Sequence, residues 1–457
     1  MEKIAASLLA TAGIACAQTY NYDSSSETLV ITGKGNTVAD RITLEGPITP
    51  GSTVPGTSEI FGDTKEIILK DVWTSPDSIR IKYVEPTSEG NNTTLKLENS
   101  RLGASGDFDK GGTGLILILD SQSSLGLYGN RLTNTIRIEN QGNIKCTNGT
   151  VSASSYLWDN KTTTGSSGVL GGSGYYSFGN VSSIETNKDF GLIKTSGQIT
   201  DLEISGIYTV DGNSAKTIGD DSYIVGVNTS SSSDGQAMTI SGSLTINAKQ
   251  GTGIGILANQ LGSDDVSLKN NYSGQIYVTA KDAFGVKVGK NAAMDPSAAG
   301  DIYSLSVGEL DIESTITSGS TQGEATGIYA KSVKRDLTAN AITVKGYTNA
   351  TGIHLTEGGR NLTISDMQVS AGISGNAAGI IAAPGRDNPV STAGNLENIR
   401  IDNLEVSGGA DATGIFANSI TKSGQNENII GNITVSSENG LANGIFADNA
   451  DITLGGK

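Results

Sequence analysis

The chain is poor in cysteine, histidine, proline and aromatic residues. Its 457 residues include two cysteines, one histidine, eight prolines and 5% aromatics. A single histidine removes most metal and acid–base chemistry. Positive charge is also scarce, because 31 basic residues against 47 acidic ones leave a formal net charge of −16. That surplus repels nucleic acid phosphate and anionic lipid, so we expect neither as a partner.

Helical periodicity and long apolar runs are missing as well. After residue 17 no apolar run approaches the ~20 residues of a membrane-spanning helix. What is present is a short apolar alternation between clusters of Gly, Asn, Ser, Thr and Asp, which predicts short strands joined by polar turns. In the first third the predicted strands are Leu29/Ile31, Ile42/Leu44, Ile67/Leu69, Ile79/Ile81, Leu95/Leu97, Leu115/Leu117/Leu119 and Ile136/Ile138.

The first residues are typical of a secretory signal. Lys3 precedes an uncharged stretch over residues 4–15, and Ala15-Cys16-Ala17 is a small-residue cleavage site. We therefore predict a signal peptide over residues 1–17. In the alternative interpretation, Cys16 is the lipid-bearing first residue of a lipoprotein.

Cleavage after residue 17 would leave Cys146 as the one cysteine, so no intrachain disulfide could form. We interpret Cys146 as a buried, unreactive thiol rather than a reactive one. A long exported chain without disulfides must be held together by repeated hydrogen bonding and stacking.

An internal repeat begins near residue 184, and its first element is a glycine followed by an apolar residue. The copies are Phe190-Gly191-Leu192, Val225-Gly226-Val227, Ile254-Gly255-Ile256, Phe284-Gly285-Val286, Thr326-Gly327-Ile328, Thr351-Gly352-Ile353, Ala378-Gly379-Ile380, Thr413-Gly414-Ile415 and Asn443-Gly444-Ile445. A glycine at a fixed place suits either a positive φ or close packing of adjacent turns.

A second element lies between those glycines, as in Leu362-x-Ile364-x-x-Met367-x-Val369. This spacing predicts two short strands that meet at a two-residue corner. With the glycine strand it gives about three strands in each repeat of roughly 25–30 residues. We predict a right-handed parallel β-helix, with irregular coils over residues 18–183 and regular coils over 184–457, around a narrow aliphatic interior.

Extra residues accumulate between the glycine strand and the next strand, within 287–304, 381–398 and 416–429. Insertions at one corner of a solenoid project from one side and commonly form the binding surface, although unconstrained loop drift is the alternative. The charged residues of these segments include Lys290, Asp295, Arg386, Asp387 and Lys422, a set too sparse to predict a catalytic cleft.

Two motifs superficially resemble those of pectin hydrolases, which are β-helical enzymes: Gly219-Asp220-Asp221 and Arg80-Ile81-Lys82. In that family the basic triplet follows the acids, with a Gly-His-Gly between them, whereas here the order is reversed. We interpret the paired acids as a solvated turn. The one histidine, His354, lies beyond both motifs and occupies the repeat position of Tyr329 and Phe416, so we interpret it as a strand residue rather than a ligand.

Other chemical motifs are incomplete. Gly111-Gly112-Thr113-Gly114 begins like a calcium-binding nonapeptide but lacks its aspartate. Asp264-Asp265 and Asp448-Asn449-Ala450-Asp451 could supply oxygen ligands to a divalent ion, but solvated turns are our interpretation. No phosphate-binding loop or nucleophile elbow is present. The sequence therefore predicts no catalytic, cofactor-binding or metal residues.

The mature chain resembles the passengers of bacterial autotransporters and related adhesin-like surface proteins. The resemblance rests on the cleavage site at Ala17, the scarcity of cysteine, the Gly, Ser, Thr and Asn content, and the Ala-Thr-Gly-Ile units at 325–328, 350–353 and 412–415. It implies export across the outer membrane as an unfolded chain and display on the cell surface or secretion.

That family also implies a C-terminal translocator of amphipathic strands, which has no counterpart before Lys457. The expected β-helix is uncapped there, so we expect a fragment, or a partner or anchor that closes the end. The predicted function is a non-enzymatic adhesin or surface stalk that binds host or matrix glycans or proteins through the three inserted loops. The alternative is a polysaccharide-active β-helix enzyme, a lyase or a hydrolase.

Overall fold

The structure is a computed structural model, and it describes part of the chain in detail. The described residues are 19–23, 25–26, 28–32, 66–71, 93–105, 115–128, 136–140, 143–146, 150–151, 155–160, 166–178, 183–184, 189–212, 223–232, 235–290, 296–315, 323–385, 393–424 and 427–455. The predicted signal peptide and the predicted strands at Ile42/Leu44 and Ile79/Ile81 lie outside these ranges.

The described residues form an all-β structure with a single short 3-10 turn at Pro296–Ala298. The strands before residue 190 are β1 (Thr19–Asp23), β2 (Thr28–Thr32), β3 (Glu66–Lys70), β4 (Thr93–Glu98), β5 (Arg101–Ser105), β6 (Leu115–Leu119), β7 (Ser124–Tyr128), β8 (Ile136–Asn140), β9 (Asn143–Cys146), β10 (Thr150–Val151), β11 (Ser155–Asn160), β12 (Ser166–Phe178), β13 (Ser183–Ile184) and β14 (Asp189–Thr195). The next are β15 (Ile199–Ile204), β16 (Ile207–Gly212), β17 (Tyr223–Thr229), β18 (Met238–Ile240), β19 (Ser243–Ala258), β20 (Asn270–Val288), β21 (Asp301–Ser314), β22 (Glu324–Gly346), β23 (Asn349–Ala371), β24 (Asn376–Ala382), β25 (Asn395–Gly408), β26 (Ala412–Thr421), β27 (Ile429–Ser437), β28 (Ala442–Ala450) and β29 (Thr453–Leu454).

The strands pair in parallel, each with the strand one repeat further along the chain. We call each length of chain that pairs with the preceding one a pass. In β22 and β23, for example, Tyr329 pairs with His354 and Val344 with Val369. Among the described strands, only β1 and β2 pair antiparallel. All predicted strands that fall within the described residues are confirmed, from Leu29/Ile31 to Ile136/Ile138.

One continuous core runs through the passes. Ile328, Ile353, Ile380 and Ile415 pair in sequence across four passes, and each is fully buried in the same hydrophobic cluster. Each aliphatic side chain removed from water in this way stabilises the fold by about 1.5–3 kcal/mol. The repeated Gly-Ile signal therefore marks the column of side chains that fills the interior.

The second repeat element also points inward, as its spacing predicts. Leu362, Ile364, Met367 and Val369 are all buried in that core cluster, whereas Ser365 between the two halves is exposed. The two-residue step at the corner restores the inward direction that simple alternation would lose. The predicted inward residues are confirmed, but the segment lies within the single continuous strand β23 rather than in two short strands.

The expectation of an aliphatic interior is wrong for the passes between residues 156 and 272. The core there contains the buried rings Trp158, Tyr176, Phe190, Tyr208 and Tyr272. A buried tyrosine needs a partner for its hydroxyl, and the Tyr208 hydroxyl donates to the Gly171 carbonyl at 2.7 Å. In these passes aromatic rings therefore share the core with aliphatic side chains.

Candidate functional site

The strand register shows where extra residues leave the repeat. Lys287 pairs with Tyr329, and Asp301 pairs with Ser332, so the long step from 287 to 301 lies beside a short one. The step from Ile381 to Asn395 likewise lies beside the short step from His354 to Gly358. Two of the three predicted inserts thus leave from one corner, which we call the first corner.

The base of the first insert is a closed hairpin. Gly289 and Ala299 form an antiparallel bridge. The Lys290 amide donates to the Ala298 carbonyl at 2.9 Å, and the Gly300 amide donates to the Val288 carbonyl at 3.0 Å. After the hairpin the chain enters β21 at Asp301, so residues 301–304 belong to a strand rather than to a loop.

The prediction that all inserts share one corner is wrong for 416–429. Residues 416–421 belong to the strand β26. The extra residues lie after that strand: Thr421 pairs with Glu397 and Ile429 pairs with Arg400, so residues 422–428 correspond to only residues 398–399 of the preceding pass. This insert leaves from the next corner, which we call the second corner. Residue spacing alone places these extra residues at the wrong corner, because spacing does not show where a strand ends.

Sequence reasoning missed a further insert at the second corner. Leu261 pairs with Ile302 and Asn270 with Leu305, so residues 262–269 replace a two-residue step. Gly262 has φ +72°, which marks the sharp turn that opens this loop. The signal in the sequence is Gly262-Ser263-Asp264-Asp265, whose two acids we interpret as a solvated turn.

A narrow stack of short strands separates the two corners, and its inward side chains belong to the main core. They are Leu261, Ile302, Val333, Leu396 and Ile420. We define the loop-bearing edge as this stack with its flanking corners, that is, residues 261–269, 289–290, 296–304, 331–336, 357–361, 383–385, 393–398 and 418–424. The three predicted inserts and the missed one all reach it.

The loop-bearing edge brings charges of both signs together from several passes, and two ion pairs form among them. Lys334 Nζ lies 3.5 Å from an Asp301 oxygen, which also accepts from the Ser332 hydroxyl at 2.8 Å. Lys331 Nζ lies 3.3 Å from Glu357. These partly exposed pairs contribute little stability each, and their main effect is to neutralise the four charges that form them.

Arg335 links the missed loop to the stack. Its Nη2 donates to the Ser263 carbonyl at 2.6 Å, and its guanidinium carbon lies 5.9 Å from the centre of the Tyr303 ring. Burial and the nearby Asp264 and Asp301 raise the pKa of the Tyr303 hydroxyl, against the opposing effect of Arg335. Arg335 therefore holds the 262–269 loop against the strand stack.

The second corner also carries a ladder of polar side chains. Asn361 Nδ2 donates to Asp336 Oδ1 at 3.1 Å, and Asn398 Nδ2 donates to Asn361 Oδ1 at 3.0 Å. The Ser423 amide donates to Asn398 Oδ1 at 2.8 Å. Asn361 and Asn398 have φ values of 50° and 56°, a conformation that asparagine tolerates better than most residues. The corner is thus fastened pass by pass.

A second buried layer lies on the outward side of the glycine strands, next to the first corner. Seven residues share one row by register, of which the first five are buried, Phe416 is half-buried and Phe446 is 49% exposed: Leu257, Lys287, Tyr329, His354, Ile381, Phe416 and Phe446. Lys287 is fully buried, with Nζ 4.8 Å from the centre of the Phe284 ring and 4.2 Å from that of Tyr329. Such cation–π contacts stabilise a desolvated ammonium group. The predicted strand position of His354 is confirmed by this row.

The remaining candidates from the sequence do not form a metal site within the described structure. Asp265 is exposed, and hydrogen bonds from the backbone and side chain of Ser267 lower its pKa. Asp451 pairs with Lys422 at 3.4 Å. No group of three or more His, Cys, Asp or Glu residues in the described ranges could hold a metal ion. Cys146 lies at the end of β9.

Several predicted candidates fall outside the described residues. They are Arg80, Lys82, Gly111–Gly114, Asp220, Asp221, Asp295, Arg386 and Asp387. The chemistry that the described part of the edge offers is therefore hydrogen bonding by amides, hydroxyls and neutralised charge pairs. One example is Asn395 Oδ1, which accepts from Asn418 Nδ2 at 3.2 Å and from the Ser419 hydroxyl at 2.7 Å.

Comparison of the chain with protein-family models, with curated proteins and with solved structures finds no match. The described part of the chain contains no helix with the length and apolar character needed to cross a membrane.

Proposed function

We propose that this chain is an exported, non-enzymatic surface protein built as a right-handed parallel β-helix, and that it acts as an adhesin or a surface stalk. The observation that carries the proposal is the parallel register of successive passes around one core, from Phe190 to Ile430. A solenoid of this kind is stabilised by nearest-neighbour stacking, which needs no disulfide. Such a molecule suits display outside the cell.

The loop-bearing edge is the proposed binding surface for host or matrix glycans or proteins. Inserts that leave one side of a solenoid present an extended surface on a rigid support. Amide and hydroxyl groups such as those of Asn395, Asn418 and Ser419 match the hydrogen-bonding groups of sugars and of peptide backbones. The resemblance to autotransporter passengers supports the cell-surface or secreted location and the signal peptide over residues 1–17.

A polysaccharide-active enzyme is the second candidate, since such an enzyme gathers acids and bases from neighbouring passes into one site. The edge does gather Asp301, Lys331, Lys334 and Glu357. Asp301 and Glu357 are each paired with a lysine, whereas a glycosidase needs two carboxylates free to act as acid and base. The charge pairing favours the binding role.

Glycan-array binding and release of reducing sugar, measured on the full chain, separate the two functions. We expect binding without new reducing ends. Asn418→Ala should weaken binding, whereas the control Thr343→Ala should not, because Thr343 lies on a strand away from both corners. Release of reducing ends would replace the proposal with the enzyme, and absence of binding to glycans and to matrix proteins would contradict the adhesive role. A crystal structure would check the handedness of the coil.

A further inference from the structure

His354, the single histidine of the chain, is buried against the base of the second insert. Its side chain is 5% exposed, and its Nε2 lies 2.9 Å from the Ala383 carbonyl oxygen. A carbonyl oxygen only accepts hydrogen bonds, so Nε2 carries the hydrogen and donates it. This bond joins β23 to the residue that follows β24.

The insert base packs on the same outward layer. Ala383 and Ala393, on the two limbs of the insert, form a small hydrophobic cluster with Ala378 and Ile381, and Phe416 packs against it. The Gly394 amide donates to the Ala382 carbonyl at 2.6 Å, which closes the base. The imidazole therefore lies beside an apolar contact that depends on the insert staying in place.

The surroundings of His354 already contain positive charge. On β22, the Tyr329 ring meets the imidazole edge to face at 5.1 Å, and Nζ of Lys287 on β20 lies 4.2 Å from the centre of the same Tyr329 ring. The acidic group nearby in sequence, Glu357, is paired with Lys331 at 3.3 Å. On the β24 side, the neighbour in the row is Ile381, which carries no charge.

We propose that His354 is a pH-sensitive latch, and that its protonation releases the base of the second insert from the sheet. An imidazolium would still donate to Ala383, so loss of that bond is not the cause. The cause is the cost of holding a second cation without water in an apolar layer. Hydration of the ring requires Ala383, whose carbonyl oxygen the ring contacts, to move away, and with it the insert base that Ala383 forms with Ala393.

The sign of the pH dependence follows from the neutral, buried form. The contribution of neutral His354 to holding the insert base is complete above the ordinary histidine pKa of about 6.5. It is lost as the pH falls below that value, because the released state binds the proton more readily. The inference rests on the contacts of His354 and stands independently of the adhesive role.

Hydrogen–deuterium exchange of the full chain at pH 7.5 and pH 5.0 tests the latch. After correction for intrinsic rates, we expect amides of residues 381–383 and 393–394 to exchange about tenfold faster at pH 5.0, because the region opens locally. His354→Gln keeps an N–H donor that does not titrate, and it should remove the pH dependence. Equal protection of the wild-type chain at the two pH values, or the same acid response in His354→Gln, would overturn the proposal.

A second measurement uses the wild-type chain alone, so it tests the latch even if His354→Gln does not fold. The wild-type chain has one imidazole, so its C–H resonances are free of overlap with other histidines, and their shift with pH reports protonation of His354 alone. We expect that shift and the faster exchange to occur over the same pH range. Protonation without faster exchange would contradict the latch. In His354→Phe, which introduces the residue type that Phe416 and Phe446 supply at this repeat position, amide exchange at the insert base should not depend on pH.

Discussion

A Cβ atom placed on Gly327 would lie 2.5 Å from the carbonyl oxygen of Gly352 in the next pass. The same relationship, at 2.5 or 2.6 Å, holds at Gly226, Gly255, Gly285, Gly352 and Gly379. None of these glycines has a positive φ. The repeated glycine is therefore required by the close approach of successive backbones, and of the two reasons that the sequence left open only close packing applies.

Gly327→Ala should destabilise the fold by about 1–3 kcal/mol, because the added methyl group meets backbone that cannot move without its neighbours. The matched control is Gly444→Ala, which occupies the same repeat position with nothing within 4 Å of its Cβ. We expect the control to change stability by less than about 1 kcal/mol. Urea unfolding followed by circular dichroism gives both values, and equal losses would contradict the clash.

Ile353→Ala tests the continuous core. Ile353 is fully buried in the main cluster, so the substitution should cost about 2–5 kcal/mol through lost burial and an unfilled cavity. Ile373→Ala is the control, because Ile373 is 77% exposed, and we expect a change within about 0.5 kcal/mol. The urea midpoints of the two variants, compared with that of the wild-type chain, test these expected losses of stability. If the passes formed separate cores instead of one, Ile353→Ala would unfold only its own region and would leave the midpoint of the main unfolding transition unchanged.

Asn398 combines a positive φ with two hydrogen bonds of the second corner, one to Asn361 and one from the Ser423 amide. Both Asn398→Gly and Asn398→Ala remove the bonds, but only glycine adopts the left-handed conformation without strain. We therefore expect the alanine variant to be less stable than the glycine variant by about 1 kcal/mol. Thermal unfolding of the pair measures this difference, and an alanine variant as stable as the glycine one would refute it.

The buried tyrosine of β20 gives the stability an alkaline limit. Burial raises the pKa of the Tyr272 hydroxyl, whereas an unfolded tyrosine loses its proton near pH 10. The stabilisation is therefore complete below about pH 10 and decreases as the pH rises above that value.

Between pH 8 and pH 11, Tyr272→Phe should lose less stability than the wild-type chain. The reason is that phenylalanine lacks the hydroxyl whose proton the unfolded chain loses more readily than the folded one. Urea midpoints of both proteins at these two pH values test this. The other tyrosines are common to both chains, so the difference isolates Tyr272. Parallel losses in the two proteins would show that its hydroxyl does not contribute.

Much of the fold could be predicted from local pattern. The Gly-Ile units and the Leu362-to-Val369 spacing identify inward residues correctly, because a strand alternates faces and a corner of two residues resets that alternation. The buried rings between residues 156 and 272 could not be predicted, since the width of the interior depends on all the sides of a pass at once.

The candidate site was less accessible to sequence reasoning. The lengths of the inserts were visible, but the corner from which 416–429 leaves was not, and the 262–269 loop was missed. Register across passes decides both, because a gap in spacing can be filled either by a longer strand or by a loop. The pairing of Lys334 with Asp301 and the contact of His354 with Ala383 join residues about thirty positions apart, and no local pattern marks them.

The sequence by itself determined the all-β character, the repeat and the residues that face inward, because these follow from apolar periodicity and from the regular recurrence of glycine. Only the tertiary structure decided that the glycines serve close packing, that the inserts leave from two corners, and that the part of the outward row from Leu257 to Ile381 is buried. Those features arise from contacts between passes, whose geometry is set when each pass stacks on the preceding one.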